Sequence, residues 1–153
     1  MKEQLKAAFT SFPYCIATYV ALVGAVWLLF FQFEPVRDDP VVREVARAEQ
    51  AATEAAGRLG GRVWRVGFTG SMRPLMRGGE YAVTVSRFDD VRLGQVLVYS
   101  AIYHNNPIVH RAVQKDSYGW LMSGDSAPHS ESWARVTAGN YLGTVVEIYR
   151  ETP

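Results

Sequence analysis

The first 33 residues carry three charges, Lys2, Glu3 and Lys6, and the 27 residues from 7 to 33 carry none. Within that run, the apolar stretch 12–33 is long enough to cross a hydrocarbon layer about 30 Å thick as a helix rising about 1.5 Å per residue. It ends in Phe30, Phe31, Gln32 and Phe33 rather than in the small residues of a cleavage site, so it predicts an uncleaved transmembrane anchor, with Trp27 and the phenylalanines suited to the interface. Lys2 and Lys6 before the span are balanced by Arg37 and Arg43 behind it. Glu34, Asp38 and Asp39 on the near flank, and the ease of leaving a short tail inside, predict a cytoplasmic tail over 1–11 and an extracytoplasmic remainder.

Behind the span the apolar period becomes three and four residues. Val41, Val45, Ala48, Ala52, Ala55 and Leu59 fall on one helical face, Asp38 and Asp39 precede Pro40 as capping acids, and Gly60-Gly61 supplies a stop. The spacing predicts a linker and amphipathic helix over 34–60, helical over 41–59. A narrow face of alanines buries little area, so the helix reads as a stalk or packing element. From residue 61 the texture changes to short β-rich runs at 62–68, 81–86, 95–100, 108–113, 120–123 and 142–149, separated by turn residues. These predict a mainly β fold, a compact antiparallel domain over 61–153. Alternation in 81–85 and 145–149 predicts one wet face for those strands.

Charge and cysteine usage narrow the functions. The 120 residues from 34 onward hold 14 basic and 14 acidic side chains with no basic stripe, which speaks against a nucleic-acid partner. The single cysteine, Cys15, lies in the apolar run, so no intramolecular disulfide or cysteine metal site is available. His104 in a turn and His129 in a polar loop read as exposed. No histidine–carboxylate spacing of a metal site accompanies them, and neither metal nor cofactor is expected.

Candidate chemistry gathers in a set of turns and strands. Gly70-Ser71-Met72-Arg73-Pro74 follows one predicted strand, Val109-His110-Arg111 lies in another, and Ser123-Gly124-Asp125 ends a third. Together they resemble the signal peptidase I family, from about Val66 to Val146. Ser71-Met72-Arg73-Pro74 is similar to the family's nucleophile box. Gly94-Gln95-Val96-Leu97-Val98-Tyr99 is similar to the segment in which a Gly-Asp pair opens a strand, with Gln95 in place of the acid. Ile108-Val109-His110-Arg111-Ala112-Val113 looks like the general-base box, Gly124-Asp125 like the acidic box, and Tyr141-Leu142-Gly143-Thr144-Val145-Val146 like the closing strand. Histidine rather than lysine in the base box resembles the archaeal and endoplasmic-reticulum variant; Lys115, five residues on, reads as a solvated turn charge.

The resemblance implies a membrane-anchored serine endopeptidase that cuts signal peptides or other exported precursors after small residues. Ser71 would be the nucleophile and His110 the base, since a serine hydroxyl needs a neighbouring base and an unperturbed imidazole, with a pKa near about 6.5, suits that task. Asp125 or Glu131 would orient the imidazole, and the choice stays open. The family's oxyanion donors map onto the Ser71 N–H and the Thr69 hydroxyl; Thr69 reads equally as a strand-end residue bonded to its own turn. The implied partners are precursor polypeptides and the lipid bilayer. The 37 residues 34–70 between span and nucleophile depart from the family. An upright helix about 28 Å long would lift the site and favour a specialised precursor, whereas a folded-back helix keeps the family geometry. Two other functions compete: a non-catalytic, membrane-tethered β domain used for binding or assembly, and an autocleaving repressor, which the absence of a base lysine and of a DNA-binding region disfavours.

Overall fold

The computed structural model describes residues 36–101, 104–126 and 135–153; the predicted anchor, His129 and Glu131 lie outside the described residues. Among the described residues no helix is long and apolar enough to cross a membrane. In chain order the elements are β1 (Val41–Val45), α1 (Ala48–Leu59), β2 (Arg62–Arg65), β3 (Tyr81–Val85), a 3₁₀ turn (Phe88–Asp90), β4 (Val96–Tyr99), β5 (Ile108–Asp116), β6 (Gly119–Ser123), β7 (Arg135–Val136) and β8 (Tyr141–Glu151).

Six of these strands occupy the six β-rich runs. All eight strands form one sheet in the order β2-β3-β8-β4-β5-β6-β7, antiparallel throughout that path, with β1 added to β8 in parallel. The long β8 joins the halves: Tyr141 to Thr144 pair with β4, and Thr144 to Tyr149 pair with β3. Register shifts at Val83/Thr84, Val98/Tyr99 and Ala112/Gln114 bend the strands, and the sheet curls into a half-barrel. Inside the curl, Met72, Met76, Ala82, Val96, Val98, Val145 and Ile148 form one buried cluster; Leu97 and Tyr99, on the other face of β4, join Ala112, Trp120, Met122 and Val136 in another.

The predicted helix over 41–59 opens as a strand, with its first five residues in β1. Val41, Val42 and Val45 are β-branched residues that suit an extended backbone, and the free edge of Glu147 to Glu151 in β8 accepts them, Val41 opposite Glu147 and Val45 opposite Glu151. The helix begins only at Ala48, whose N–H is taken by the Glu151 carboxylate at 3.0 Å rather than by Asp38 or Asp39. It ends as the Gly60-Gly61 pair predicts, with Gly60 left-handed and the Gly61 N–H bonded to Ala56 O at 2.8 Å. Ala48, Ala52 and Ala55 do form the buried face, but they pack on Val83 and Tyr149 of the sheet. The helix packs as a layer of the domain and does not stand free as a stalk.

This layer also corrects the expectation of a wet face on β3. Ala82 points into the curl and Val83 under α1, so the strand is buried on both sides. Alanine is what lets the helix approach so closely. Ala52→Leu should therefore destabilise the protein by about 1–3 kcal/mol in urea unfolding through overpacking. A free stalk would tolerate the change with an effect of no more than about 0.5 kcal/mol.

Candidate active site

The loop carrying Ser71 leaves the sheet after Val66 and returns at Glu80; Val66 N–H bonds Glu80 O and Gly79 N–H bonds Val66 O, both at 2.8 Å. Two methionines pin it from within, since Met72 and Met76 are buried in the inner cluster. Glu80, also buried, accepts the Arg77 N–H at 2.7 Å and the Gly78 N–H at 2.6 Å, which compensates its desolvation and ties off the far side. Ser71, next to Met72 and half-buried, is held at the edge of this plug.

His110 lies opposite Leu97 in the β4–β5 ladder, so Tyr99, two residues along β4, shares its face. His110 is buried, its Nε2 stands 3.2 Å from Ser71 Oγ, and its Nδ1 faces the Tyr99 hydroxyl at 3.4 Å. Two residues 39 positions apart in sequence are thus within hydrogen-bond reach. Thr69 Oγ1 lies 3.3 Å from the same Ser71 Oγ, exposed at the rim.

Asp125 does not face His110. Its two carboxylate oxygens accept from Arg111 Nε and Nη2, each at 2.7 Å, in a fork-to-fork pair with both side chains buried. The reason is the pleat: successive residues of a strand point to opposite faces, and the turn carrying Asp125 meets the Arg111 face. Arg111 further donates to Gly94 O at 2.6 Å and pairs with Asp39 Oδ1 at 2.7 Å. Burial works against the guanidinium's charge, but the Asp125 and Asp39 carboxylates outweigh it and hold its pKa above the ordinary arginine value.

The acidic turn nevertheless serves the nucleophile. Ser126 N–H bonds Ser71 O at 2.9 Å, and Ser126 Oγ donates to Gly70 O at 2.7 Å. Gly124 lies so close that a Cβ there would sit 2.7 Å from Ser71 O, which only glycine permits. Ser71 and His110 open on a cleft of about 650 Å³. Its lining comes from Trp64, Arg65, Val66, Gly67 and Thr69 on one chain segment, from Ala82 and Val98, and from His104, Asn106, Pro107, Ile108 and Val109 on the segment leading to His110. His104 is exposed as expected, yet it borders this cleft. Lys115 is exposed in β5, away from the expected turn, with Nζ 5.1 Å from the centre of the Trp120 ring. No cluster of metal-ligating side chains occurs among the described residues.

Sequence reasoning gave no role to Arg111, Tyr99 or Ser126. The signal for Arg111 was present, because an arginine flanked by apolar residues in a predicted strand must find carboxylates if it is buried. Compared with known proteins, the chain matches no family model, and no curated protein is significantly similar to it.

Proposed function

We propose that this chain is a membrane-anchored serine endopeptidase of the signal peptidase kind, in which a signal-peptidase-like β domain works on the extracytoplasmic side of the cell membrane. The observation that carries the reading is the 3.2 Å contact of Ser71 Oγ with His110 Nε2 at the mouth of a largely apolar cleft. A proton on Nδ1, held toward the Tyr99 oxygen, leaves the Nε2 lone pair for the serine. Nε2 takes the Ser71 proton as Oγ bonds to the scissile carbonyl carbon; the carbon–nitrogen bond then breaks, and Nε2 hands the proton to the leaving amine. Water attacks the acyl carbon with Nε2 again as base, freeing Ser71 and the new carboxylate. The Thr69 hydroxyl and the Ser71 N–H would donate to the oxyanion, each worth about 3 kcal/mol of barrier. Asp125 is engaged by Arg111, and the described group at Nδ1 is the Tyr99 hydroxyl.

The substrate would be an exported precursor laid along the cleft with small residues before the cut. A β-lactone probe tests the reading. On the full chain in membranes it is expected to acylate Ser71, located by mass spectrometry of the digested protein, and to leave the Ser71→Ala variant unmodified. An unlabelled wild-type chain would instead point to a non-catalytic binding domain.

A further inference from the structure

Both ends of the Ser71–His110 contact are tied to one guanidinium. Arg111 follows His110 directly in β5, which fixes the base side. On the nucleophile side, Arg111 grips Asp125, whose neighbour Ser126 holds Gly70 and Ser71. The third group on this guanidinium comes from outside every segment that resembles a peptidase: Asp39, at 2.7 Å from Nη2.

The residues around Asp39 are seated as a strap on the turn before β4. Asp38 N–H bonds Gly94 O at 3.2 Å, and Asp38 forms a bridge with Gln95. Asp38 Oδ2 accepts from Arg92 Nη2 and from Gln95 Nε2, both at 3.0 Å. Gln95 also takes the Arg92 N–H on its Oε1 at 3.0 Å. An amide can donate to Asp38 while accepting from Arg92, and a carboxylate at 95 could not, so the departure from the family's Gly-Asp pair fits the presence of the strap. Gly94, left-handed at φ 88°, lies so close that a Cβ would come 2.5 Å from Val36 O. Gly94 O is itself bonded to Arg111.

We infer that Asp39 is a positioning residue of the active site: the strap 36–40, docked through Asp39 on Arg111, sets the geometry of the Ser71 loop relative to His110. This rests on the reading of Ser71 and His110 as nucleophile and base. Removing the Asp39 charge leaves the Arg111–Asp125 pair in place, so the fold should survive while the guanidinium shifts. Small misplacements of reacting groups are costly in rate, by as much as about a hundredfold per ångström.

The test uses the full chain with two readouts, the rate of Ser71 acylation by a β-lactone and hydrogen exchange of backbone amides. In Asp39→Asn, acylation is expected to slow by about tenfold, and exchange should quicken in 70–72 and 124–126 while β3 and β8 stay protected. Asp39→Glu should recover most of the rate, and Asp38→Asn should leave it within about twofold, since among the described residues that carboxylate meets Arg92 and Gln95 and not Arg111. Unchanged exchange in both loops of Asp39→Asn overturns the inference. So does a rate loss matched by exchange rising evenly across the domain, which would mark a general loss of stability. If the wild-type chain is not acylated at all, the peptidase reading fails, and the exchange arm still decides whether Asp39 holds the loops.

Discussion

Ser71→Ala is expected to lower cleavage of exported precursors on the order of 10⁴-fold or more, and His110→Ala by a similar factor. The two losses should not add. A nucleophile without its base and a base without its nucleophile are equally unable to form the acyl intermediate, so the double variant should be no slower than either single one. This non-additivity is the sharper part of the expectation, because two residues supporting the fold independently would give losses that multiply. The 3.2 Å contact predicts shared loss. The measurement is the rate of precursor cleavage in membranes for the four chains, with unfolding midpoints recorded alongside. Ser71 is half-buried and exchanges one hydroxyl for hydrogen, so its midpoint should hardly move. His110→Ala empties a buried site beside Tyr99 and should lower stability as well. A Ser71→Ala chain that still cleaves at the wild-type rate ends the assignment of Ser71 as nucleophile.

The β part of the fold was legible because its signals are local. Runs such as Tyr81-Ala82-Val83-Thr84-Val85 combine strand-forming residues with turn residues on either side, and the observed β3 covers those five residues. The first strand was illegible for a physical reason. Val41 and Val45 are four apart, a spacing that fits a helical face as well as a strand, and what decides between them is the edge of β8 more than a hundred residues away. The same holds for α1: its alanine face is readable, but whether that face meets a sheet or solvent depends on Val83 and Tyr149.

The candidate site divides in the same way. Ser71 and His110 stood out through the order of short motifs, and the folded chain brings them into contact. Asp125, one of two acids open for orienting His110, lies in the right neighbourhood but pairs with Arg111. A separation of 15 residues along a hairpin brings the acid near the strand but does not say which of two adjacent, oppositely pointing residues it meets. The role of Asp39 could not be read at all, since two acids before a proline look like helix caps until the partner Arg111 is seen buried across the sheet.

Arg111→Met should have the largest effect on stability of any single change around the site. Asp125 has a side chain only 4% exposed and takes both of its charged hydrogen bonds from this guanidinium. Asp39, 45% exposed, can return to water. Breaking a buried pair from one side leaves an uncompensated charge, and the expected loss is about 3–5 kcal/mol, seen as a fall of roughly 10–20 °C in the unfolding midpoint. Arg111→Lys should recover only part, because an ammonium cannot reach two carboxylates and Gly94 O with the planar fork. Adding Asp125→Leu to Arg111→Met removes the stranded charge and should restore stability to within about 2 kcal/mol of wild type. Acylation of Ser71 should stay slow in that double variant, since the turn holding Gly70 and Ser71 through Ser126 has lost its ionic anchor. A double variant no more stable than Arg111→Met alone would mean that the loss came from the vacated volume rather than from the charge of Asp125.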